Sequence, residues 1–288
     1  MIVAVASGKG GTGKTTVSAS LAWVWDRPAV AVDLDVEEPN LHLFLRPEIA
    51  WRESAYAEVP EADRSRCTLC RKCSDLCQFK AVSVMGRLLL TFPEMCHSCG
   101  GCLAVCPEGA LAPGRRELGV IEGGRAANAQ YLAGRLRVGE AMSPPLMREV
   151  KRRLDRHLDA PGTDAILDSP PGVSCPAVNA VMDSDVIVLV TEPTPFGFHD
   201  FTLAVEAFAP LGKPMGAVIN RAGLGDSTLH GFCAGKDIPV LCEIPYSREI
   251  AEDYAAGGVL AAKSPAMGAV FRDLRDKVAA LARGAAHA

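Results

Sequence analysis

The residues with the clearest chemical potential form a Gly-rich loop near the amino terminus. Residues 8–16 read GKGGTGKTT and directly follow the apolar run IVAVA at residues 2–6. A buried strand that leads into such a loop and then into a helix presents backbone N–H groups to phosphate, with Lys14 as a point charge and the Thr15 hydroxyl as a Mg²⁺ ligand. The pattern therefore predicts a nucleotide site that is built from Gly8, Gly10, Gly11, Thr12, Gly13, Lys14, Thr15 and Thr16.

Cysteine is concentrated in one short segment of the chain. Of the 11 cysteines, eight lie between Cys67 and Cys106, in two runs with the spacing C-x₂-C-x₂-C-x₃-C. This is the ligand pattern of bacterial ferredoxins, in which the fourth cysteine of each run completes the other cluster. Zinc, the main alternative, uses two separated pairs in its four-cysteine sites. We therefore assign one [4Fe–4S] cluster to Cys67, Cys70, Cys73 and Cys106, and a second to Cys96, Cys99, Cys102 and Cys77.

Composition narrows the class of protein. The 288 residues are 49% hydrophobic and 22% charged, with a net charge of −4, which argues against a general nucleic-acid-binding surface. No apolar run approaches the roughly 20 residues of a membrane span. The chain starts directly with a strand pattern and shows no export signal. We expect a cytoplasmic protein with no nucleic-acid or membrane partner.

Apolar strand patterns alternate with helical ones outside the cysteine segment. Strands are predicted near residues 29–35, 165–168, 185–191, 215–221 and 239–245, and helices at residues 145–158, 198–209 and 267–283. Such alternation predicts an α/β fold, a doubly wound parallel sheet with helices on both faces. We place this domain at residues 1–61 and 113–288, with a small α+β ferredoxin-like domain inserted at residues 62–112.

The loop carries a second lysine, Lys9, and in this it resembles the deviant Walker A loop of the MinD/ParA/nitrogenase-iron-protein ATPases. The resemblance implies that Lys9 reaches the nucleotide of a partner subunit, so that ATP binding closes a homodimer. It also implies a first switch at Asp33 and Asp35, one of which orients the attacking water. Asp168 and Gly172 resemble the Walker B aspartate and the second switch. Asn220, Arg221 and Pro245 occupy the positions of adenine-binding residues.

The position of the cysteine segment, directly after the first switch, resembles MinD-superfamily ATPases with an inserted ferredoxin domain. The resemblance implies a Mg²⁺-dependent ATPase whose dimer switching is coupled to electron transfer, or to delivery of a metallocluster, to an unidentified redox or client metalloprotein. Two alternatives stay open. One is a ParA/MinD-like positioning ATPase in which the module docks or senses redox state. The other is a maturation factor that inserts a metallocentre into a target enzyme.

Overall fold

The computed structural model describes residues 1–285. The strands are β1 (Ile2–Ala6), β2 (Ala29–Asp33), β3 (Glu48–Ala62), β4 (Val82–Met85), β5 (Leu88–Thr91), β6 (Leu111–Ala126), β7 (Ala129–Leu136), β8 (Asp164–Asp168), β9 (Val186–Thr191), β10 (Met215–Ala222) and β11 (Val240–Pro245). The helices are α1 (Lys14–Val24), α2 (Leu41–Leu45), α3 (Lys72–Leu76), α4 (Gly101–Ala104), α5 (Ser143–Leu158), α6 (Cys175–Val181), α7 (Pro195–Phe208), α8 (Thr228–Gly235), α9 (Arg248–Ala255), α10 (Leu260–Lys263) and α11 (Pro265–Ala285). None of the helices in this part of the chain combines the length and hydrophobicity that crossing a bilayer requires.

A sheet of nine strands organises the described residues, in the order β11-β10-β9-β1-β8-β2-β7-β6-β3. The strands from β11 to β7 run parallel. Their apolar side chains enter three cores, one beneath α5, α6 and α7, a second beneath α1 and α11, and a third between α1, α2 and the strands β2 and β7. Because both faces are covered, these strands read as continuous apolar runs, and the predicted α/β doubly wound architecture is confirmed.

The predicted helices exist with slightly earlier starts. The helix expected from residue 145 begins at Ser143, the one expected from 198 begins at Pro195, and the last begins at Pro265. Proline favours the first turn of a helix, because it has no N–H to leave unpaired and its φ is already helical. The apolar stripe of α11, with Phe271, Leu274 and Val278, is buried against the sheet of this same chain.

One edge of the sheet corrects the expectation of a wholly parallel sheet. β6 is antiparallel to β7, and β3 is antiparallel to β6 along almost its entire length. The sequence pattern does not predict this ribbon, because its strands contain glycine and proline, which are poor strand formers. The glycines serve close packing: a Cβ on Gly123 would lie 2.4 Å from the ring of Trp51, and one on Gly124 would lie 2.0 Å from the Glu48 carbonyl oxygen.

The β3–β6 ribbon carries the cysteine segment beyond the sheet. Pairing of β6 with β7 ends at Gly119 and Leu136, whereas pairing of β3 with β6 continues to Ala62 and Leu111. Since β7 is parallel to β2, the ribbon projects from the edge at which the parallel strands have their carboxyl ends. Residues 63–110, the cysteine module, therefore extend from the same edge as the Gly-rich loop.

Candidate functional site

The Gly-rich loop connects β1 to α1 and is packed tightly from two sides. Gly11 and Gly13 adopt φ values of 78° and 94°, which side chains other than glycine rarely tolerate. A Cβ on Gly8 would lie 1.9 Å from the backbone oxygen of Asp200, and one on Gly13 would lie 2.3 Å from the side-chain nitrogen of Asn220. The loop conformation thus requires glycine at these positions, both for its dihedral angles and for its neighbours.

Asp168 meets the beginning of α1. It ends β8, which lies beside β1, and its Oδ2 accepts a hydrogen bond from the Thr15 hydroxyl at 2.7 Å. Its Oδ1 accepts from Ser18 at 2.9 Å and lies 3.3 Å from the Lys14 ammonium. The predicted Mg²⁺ ligand, phosphate lysine and Walker B aspartate are therefore brought together, and Ser18 is an addition that the sequence did not single out.

Two buried hydroxyls at this edge have no hydrogen-bond partner in the described part of the chain. They are Thr12 Oγ1 in the loop and Ser169 Oγ directly after Asp168. Buried polar atoms are nearly always hydrogen-bonded, so an orphaned pair beside a phosphate-type loop fits a bound nucleotide that supplies the missing partners. The Gly172 amide, in contrast, donates to the Ser7 carbonyl oxygen at 2.9 Å.

The two first-switch aspartates have different environments. Asp33 is fully buried, and its carboxylate accepts from the backbone amides of Asp35 at 3.1 Å and Leu41 at 2.9 Å. Burial, and next the charge of Asp168, raise the pKa of Asp33 well above its usual range. Asp35 is only partly buried, and burial raises its pKa to about 6. Asp33 thus fixes the backbone that follows β2, while for Asp35 the backbone amide of Glu38 only partly offsets the rise in pKa that burial causes.

Lys9 does not join Lys14. Its ammonium lies 2.6 Å from Oε1 of Glu192, the residue that follows β9, and Arg221 binds Oε2 of the same carboxylate, also at 2.6 Å. Burial acts to raise the pKa of Glu192, but Lys9 and Arg221 outweigh it, so this pKa is lowered. Glu192 is not among the residues predicted from sequence; its only local signal is its acidic side chain at the carboxyl end of a predicted strand.

The predicted adenine-binding residues line a cavity beside the loop. Asn220 donates to the Thr12 carbonyl oxygen at 2.7 Å, and Arg221 follows it in the left-handed conformation. The cavity has a volume of about 340 Å³, a size that suits a small ligand. Besides these two residues it is lined by the predicted Pro245 and by loop residues, and by two aromatic side chains that the sequence analysis did not select, Tyr246 and Tyr254.

The comparison with known families decides the assignment. Residues 3–260 match the CobQ/CobB/MinD/ParA nucleotide binding domain. The chain belongs to this family.

Individual relatives agree with this membership. The uncharacterized protein MJ0578 of Methanocaldococcus jannaschii is 33% identical over 248 residues, which is 85% of this chain and 86% of the relative. The cell division ATPase MinD of Pyrococcus furiosus has a TM-score of 0.60 at 20% identity, over 97% of this chain and 98% of MinD. The septum site-determining protein MinD of Pyrococcus horikoshii, solved with Mg-ADP, has a TM-score of 0.59 at 20% identity, over 96% and 95% of the two chains. At this identity the solved structures show the shared fold.

In this MinD/ParA family member, the cysteine module repeats its backbone as well as its cysteines. The helices α3 and α4 occupy corresponding positions in the two runs. Positive φ recurs at equivalent positions: 57° at Leu69 and 56° at Ser98, 66° at Arg71 and 70° at Gly100, 55° at Lys80 and 54° at Gly109. The positive φ at Leu69 and Ser98 accompanies backbone N–H groups that donate to Cys67 Sγ and Cys96 Sγ, each at 3.4 Å.

The module brings cysteines of the two runs together. An apolar cavity of about 90 Å³ is lined by four of them, Cys77, Cys96, Cys99 and Cys102, together with residues such as Phe79, Val82 and Leu103. The remaining four cysteines of the module are Cys67, Cys70, Cys73 and Cys106. Burial raises the pKa of Cys73, and the nearby thiols of Cys106 and Cys67 add to this rise. Cys70 is exposed.

The cysteines of the module are not grouped as closely as the ligands of a single metal ion. Within residues 1–285, no three or more His, Cys, Asp or Glu side chains are grouped as they are around a metal ion. The iron–sulfur assignment itself stays a prediction.

One of the two cysteine groups reaches the large core of the ATPase domain. Cys96 belongs to that core, together with Ala57, Val59 and Ala81, and Cys77 packs against it. Cys73 and Cys102, one from each group, share a small separate core with Val82, Val84, Leu89 and Leu111. We call the group Cys77, Cys96, Cys99 and Cys102 the proximal group, and the group Cys67, Cys70, Cys73 and Cys106 the distal group.

Proposed function

We propose that this MinD/ParA-type protein is a Mg²⁺-dependent ATPase that dimerises on ATP binding and couples the dimer switch to two [4Fe–4S] clusters in an inserted ferredoxin-like domain. The observation that carries the proposal is the cavity lined by Cys77, Cys96, Cys99 and Cys102, which joins one cysteine of the first run to three of the second. That grouping is the cross-over expected of a two-cluster ferredoxin. Its output is an electron or a metallocluster passed to a redox or client metalloprotein.

At the nucleotide site each residue has a separate task. Lys14 and the loop amides bind the phosphates, while Thr15 and Asp168 would hold Mg²⁺, which would neutralise phosphate charge. Asp35 orients the attacking water, and Gly172 follows the γ-phosphate once its amide leaves the Ser7 carbonyl. Lys9 stabilises the transition-state charge across the dimer, a contribution of about 10³–10⁵ in rate for comparable cationic fingers.

A continuous set of contacts connects the switch with the ribbon that carries the cysteines. Asp33 accepts a hydrogen bond from Leu41, the first residue of α2. Leu41 is also packed in one buried core with Ala126 on β6 and Tyr131 on β7. Glu122, on the same strand β6, binds the Arg52 guanidinium of β3 through two hydrogen bonds, at 2.6 and 2.9 Å. Movement of the switch would therefore reach the β3–β6 ribbon through side chains already in place. When bound, the clusters supply one-electron redox chemistry at the end of that ribbon.

Metal and sulfide analysis of anaerobically purified protein tests the cluster assignment. We expect about eight irons and eight sulfides per chain, because two four-iron clusters are proposed. Cys99→Ser and Cys70→Ser should each impair one cluster, and Cys242→Ser, a buried cysteine outside the module, should leave the iron content unchanged. Stoichiometric zinc without sulfide would reject the assignment.

Redox titration with and without a non-hydrolysable ATP analogue tests the coupling. A change in at least one midpoint potential on addition of the analogue is the expected result. The Lys14→Ala variant, which loses the phosphate charge, should show no such change. If neither midpoint potential of the intact protein changes when the analogue is added, the coupling is rejected, and the module would serve only to dock a partner or to store clusters.

A second candidate function has support from the comparisons, which favour it over electron transfer. The similar solved structures are MinD proteins of cell division and septum-site determination. By this analogy, the protein would be a positioning ATPase whose cysteine module docks a partner or senses redox state. The discriminating measurement is ATP-dependent binding to DNA or to vesicles of anionic lipid, with Lys14→Ala as the control. Binding that requires ATP, together with potentials that do not respond to it, would favour positioning.

The proposal includes a cytoplasmic location. Its clusters need reduced thiols, and all 11 cysteines are free. Fractionation of cells that express the tagged protein checks this.

A further inference from the structure

One arginine lies buried between the ATPase domain and the proximal cysteine group. The side chain of Arg116 on β6 is 6% exposed. Its Nη2 donates to the backbone carbonyl oxygen of Cys96 at 3.4 Å, and its Nη1 donates to the carboxylate of Glu140. Its Nε has no hydrogen-bond partner among residues 1–285. The guanidinium thus extends from the ribbon to the backbone of a proposed cluster ligand.

The surrounding charges leave this spot positive. The carboxylate of Glu140, 1% exposed, also accepts from the Met142 amide at 3.1 Å and lies 3.7 Å from the guanidinium of Arg137. Two cations therefore share one anion. Arg116 is the member of this group that reaches Cys96, so the positive end of the buried pair faces the proximal group.

The internal repeat shows that this arrangement is not a general feature of the module. Cys67 is the equivalent of Cys96 in the distal group, and both accept a hydrogen bond at Sγ from the residue two positions later. Across residues 1–285, however, the Cys67 carbonyl oxygen accepts no side-chain hydrogen bond comparable to the one from Arg116. The buried cation therefore distinguishes one half of the repeat from the other.

We propose that Arg116 is a positioning residue that raises the reduction potential of the proximal cluster, the one held by Cys77, Cys96, Cys99 and Cys102, and leaves the distal one unaffected. The inference rests on the proposed function, because it requires the clusters. A nearby positive charge stabilises the form of a cluster that carries one more electron, and low exposure preserves the effect because water does not screen it. The arginine would thus keep the electron on the side of the module that contacts the ATPase domain.

Opposite charge changes within one pair make the test sharp. Redox titrations followed by electron paramagnetic resonance are compared for the wild type, Arg116→Gln and Glu140→Gln. Arg116→Gln should lower one midpoint potential by about 59 mV, a tenfold change in a one-electron equilibrium, and Glu140→Gln should raise the same one. Arg116→Lys should retain most of the wild-type value. Arg115→Gln is the matched control, because Arg115 is the exposed neighbour on the other face of β6.

The outcomes separate this inference from the function on which it rests. Cys70→Ser identifies the distal potential by shifting it, and the potential that responds to Arg116→Gln must be the other one. Shifts of equal sign in Arg116→Gln and Glu140→Gln, a shift of both potentials, or no shift would overturn the role of Arg116 while leaving the clusters in place. If Arg116→Gln loses iron, its potential cannot be measured, and the role of Arg116 is then tested by Glu140→Gln, which should raise the proximal potential. Wild-type protein without iron and sulfide would reject the proposed function itself.

Discussion

At the scale of single residues, the nucleotide edge holds its charges in pairs. Lys14 is paired with Asp168, and Lys9 is paired with Glu192, which also binds Arg221. A lysine that acts on a partner's nucleotide must first leave its partner within the same chain. Glu192 is therefore a competitor for Lys9 in the monomer.

Neutralising Glu192 should favour the dimer. In Glu192→Gln, Lys9 loses its ionic partner. A partly exposed ion pair contributes roughly 1 kcal/mol, so we expect ATP-dependent dimerisation at about a three- to tenfold lower protein concentration. Sedimentation velocity with ATP measures this. Glu206→Gln on the exposed side of α7 makes the same charge change and should have no effect. Weaker dimerisation in Glu192→Gln would show that Glu192 presents Lys9 instead of withholding it.

Asp35 should make stability depend on pH. Burial raises its pKa to about 6 in the folded protein, above the value of 3.8 expected when unfolded, so the ionised carboxylate destabilises the fold above pH 6 and costs nothing below pH 3.8. In nucleotide- and Mg²⁺-free protein, Asp35→Asn should be more stable than the wild type by about 1 kcal/mol at pH 8. That difference should shrink as the pH falls from 7 to 5.

Urea unfolding over this pH range measures the effect of Asp35→Asn. The exposed Glu37 provides the control, and Glu37→Gln should show a difference that is small at every pH. A stability gain in Asp35→Asn that persists unchanged at pH 5 would contradict the assigned pKa.

At the scale of elements, the β3–β6 ribbon and the repeated module form the part of the protein that sequence patterns described least well. The two halves of the module adopt the same positive φ values, although one half has Arg71 and Lys80 where the other has Gly100 and Gly109. A residue with a Cβ in the left-handed region carries backbone strain. The first half therefore holds its conformation at some cost in stability.

Relief of this strain is measurable at an exposed position. Arg71→Gly should stabilise the protein by about 1 kcal/mol, since glycine adopts φ near 66° without penalty. Lys72→Gly, one residue later in α3, should instead destabilise it by about 1 kcal/mol, because helical glycine is unfavourable. Chemical denaturation of the protein as isolated provides both values. Destabilisation by both variants would show that the side chain of Arg71 contributes contacts that exceed its strain.

At the scale of the whole molecule, the nucleotide loop and the cysteine module share the carboxyl edge of one sheet. The module lies at the end of a ribbon that continues past β7, and Ala126 of this ribbon shares a buried core with Leu41, whose amide donates to Asp33. A dimer that closes over the nucleotides would form at this edge. The position of the module is thus compatible with an effect of dimer closure on the clusters.

Slowing hydrolysis should trap that dimer. Asp168→Asn retains the shape of the residue that contacts Thr15 and Ser18 but loses its charge, so we expect ATP binding with turnover reduced at least about tenfold. Sedimentation in ATP should then show a stable dimer, and Lys9→Ala should remain largely monomeric. A monomer at all concentrations of Asp168→Asn in ATP would count against closure.

The sequence by itself determined the local chemistry. The phosphate loop, the strand-ending aspartates and the two cysteine runs are contiguous patterns whose residue types and spacing predict a class of ligand, and the parallel strands are recognisable because both of their faces are buried. Asp168 and Pro245 are identifiable from their positions at strand ends, without knowledge of the Thr15 contact or of the cavity.

Only the tertiary structure decided the long-range pairings. The antiparallel ribbon arises from glycines that admit Trp51 and the Glu48 backbone, a contact that no local pattern encodes. The roles of Glu192 and Arg116 follow from ion pairs between separate segments of the chain: Glu192 pairs with Lys9, and Arg116 pairs with Glu140. Spacing predicts what a segment can bind, whereas burial and charge pairing depend on which segments the fold brings into contact.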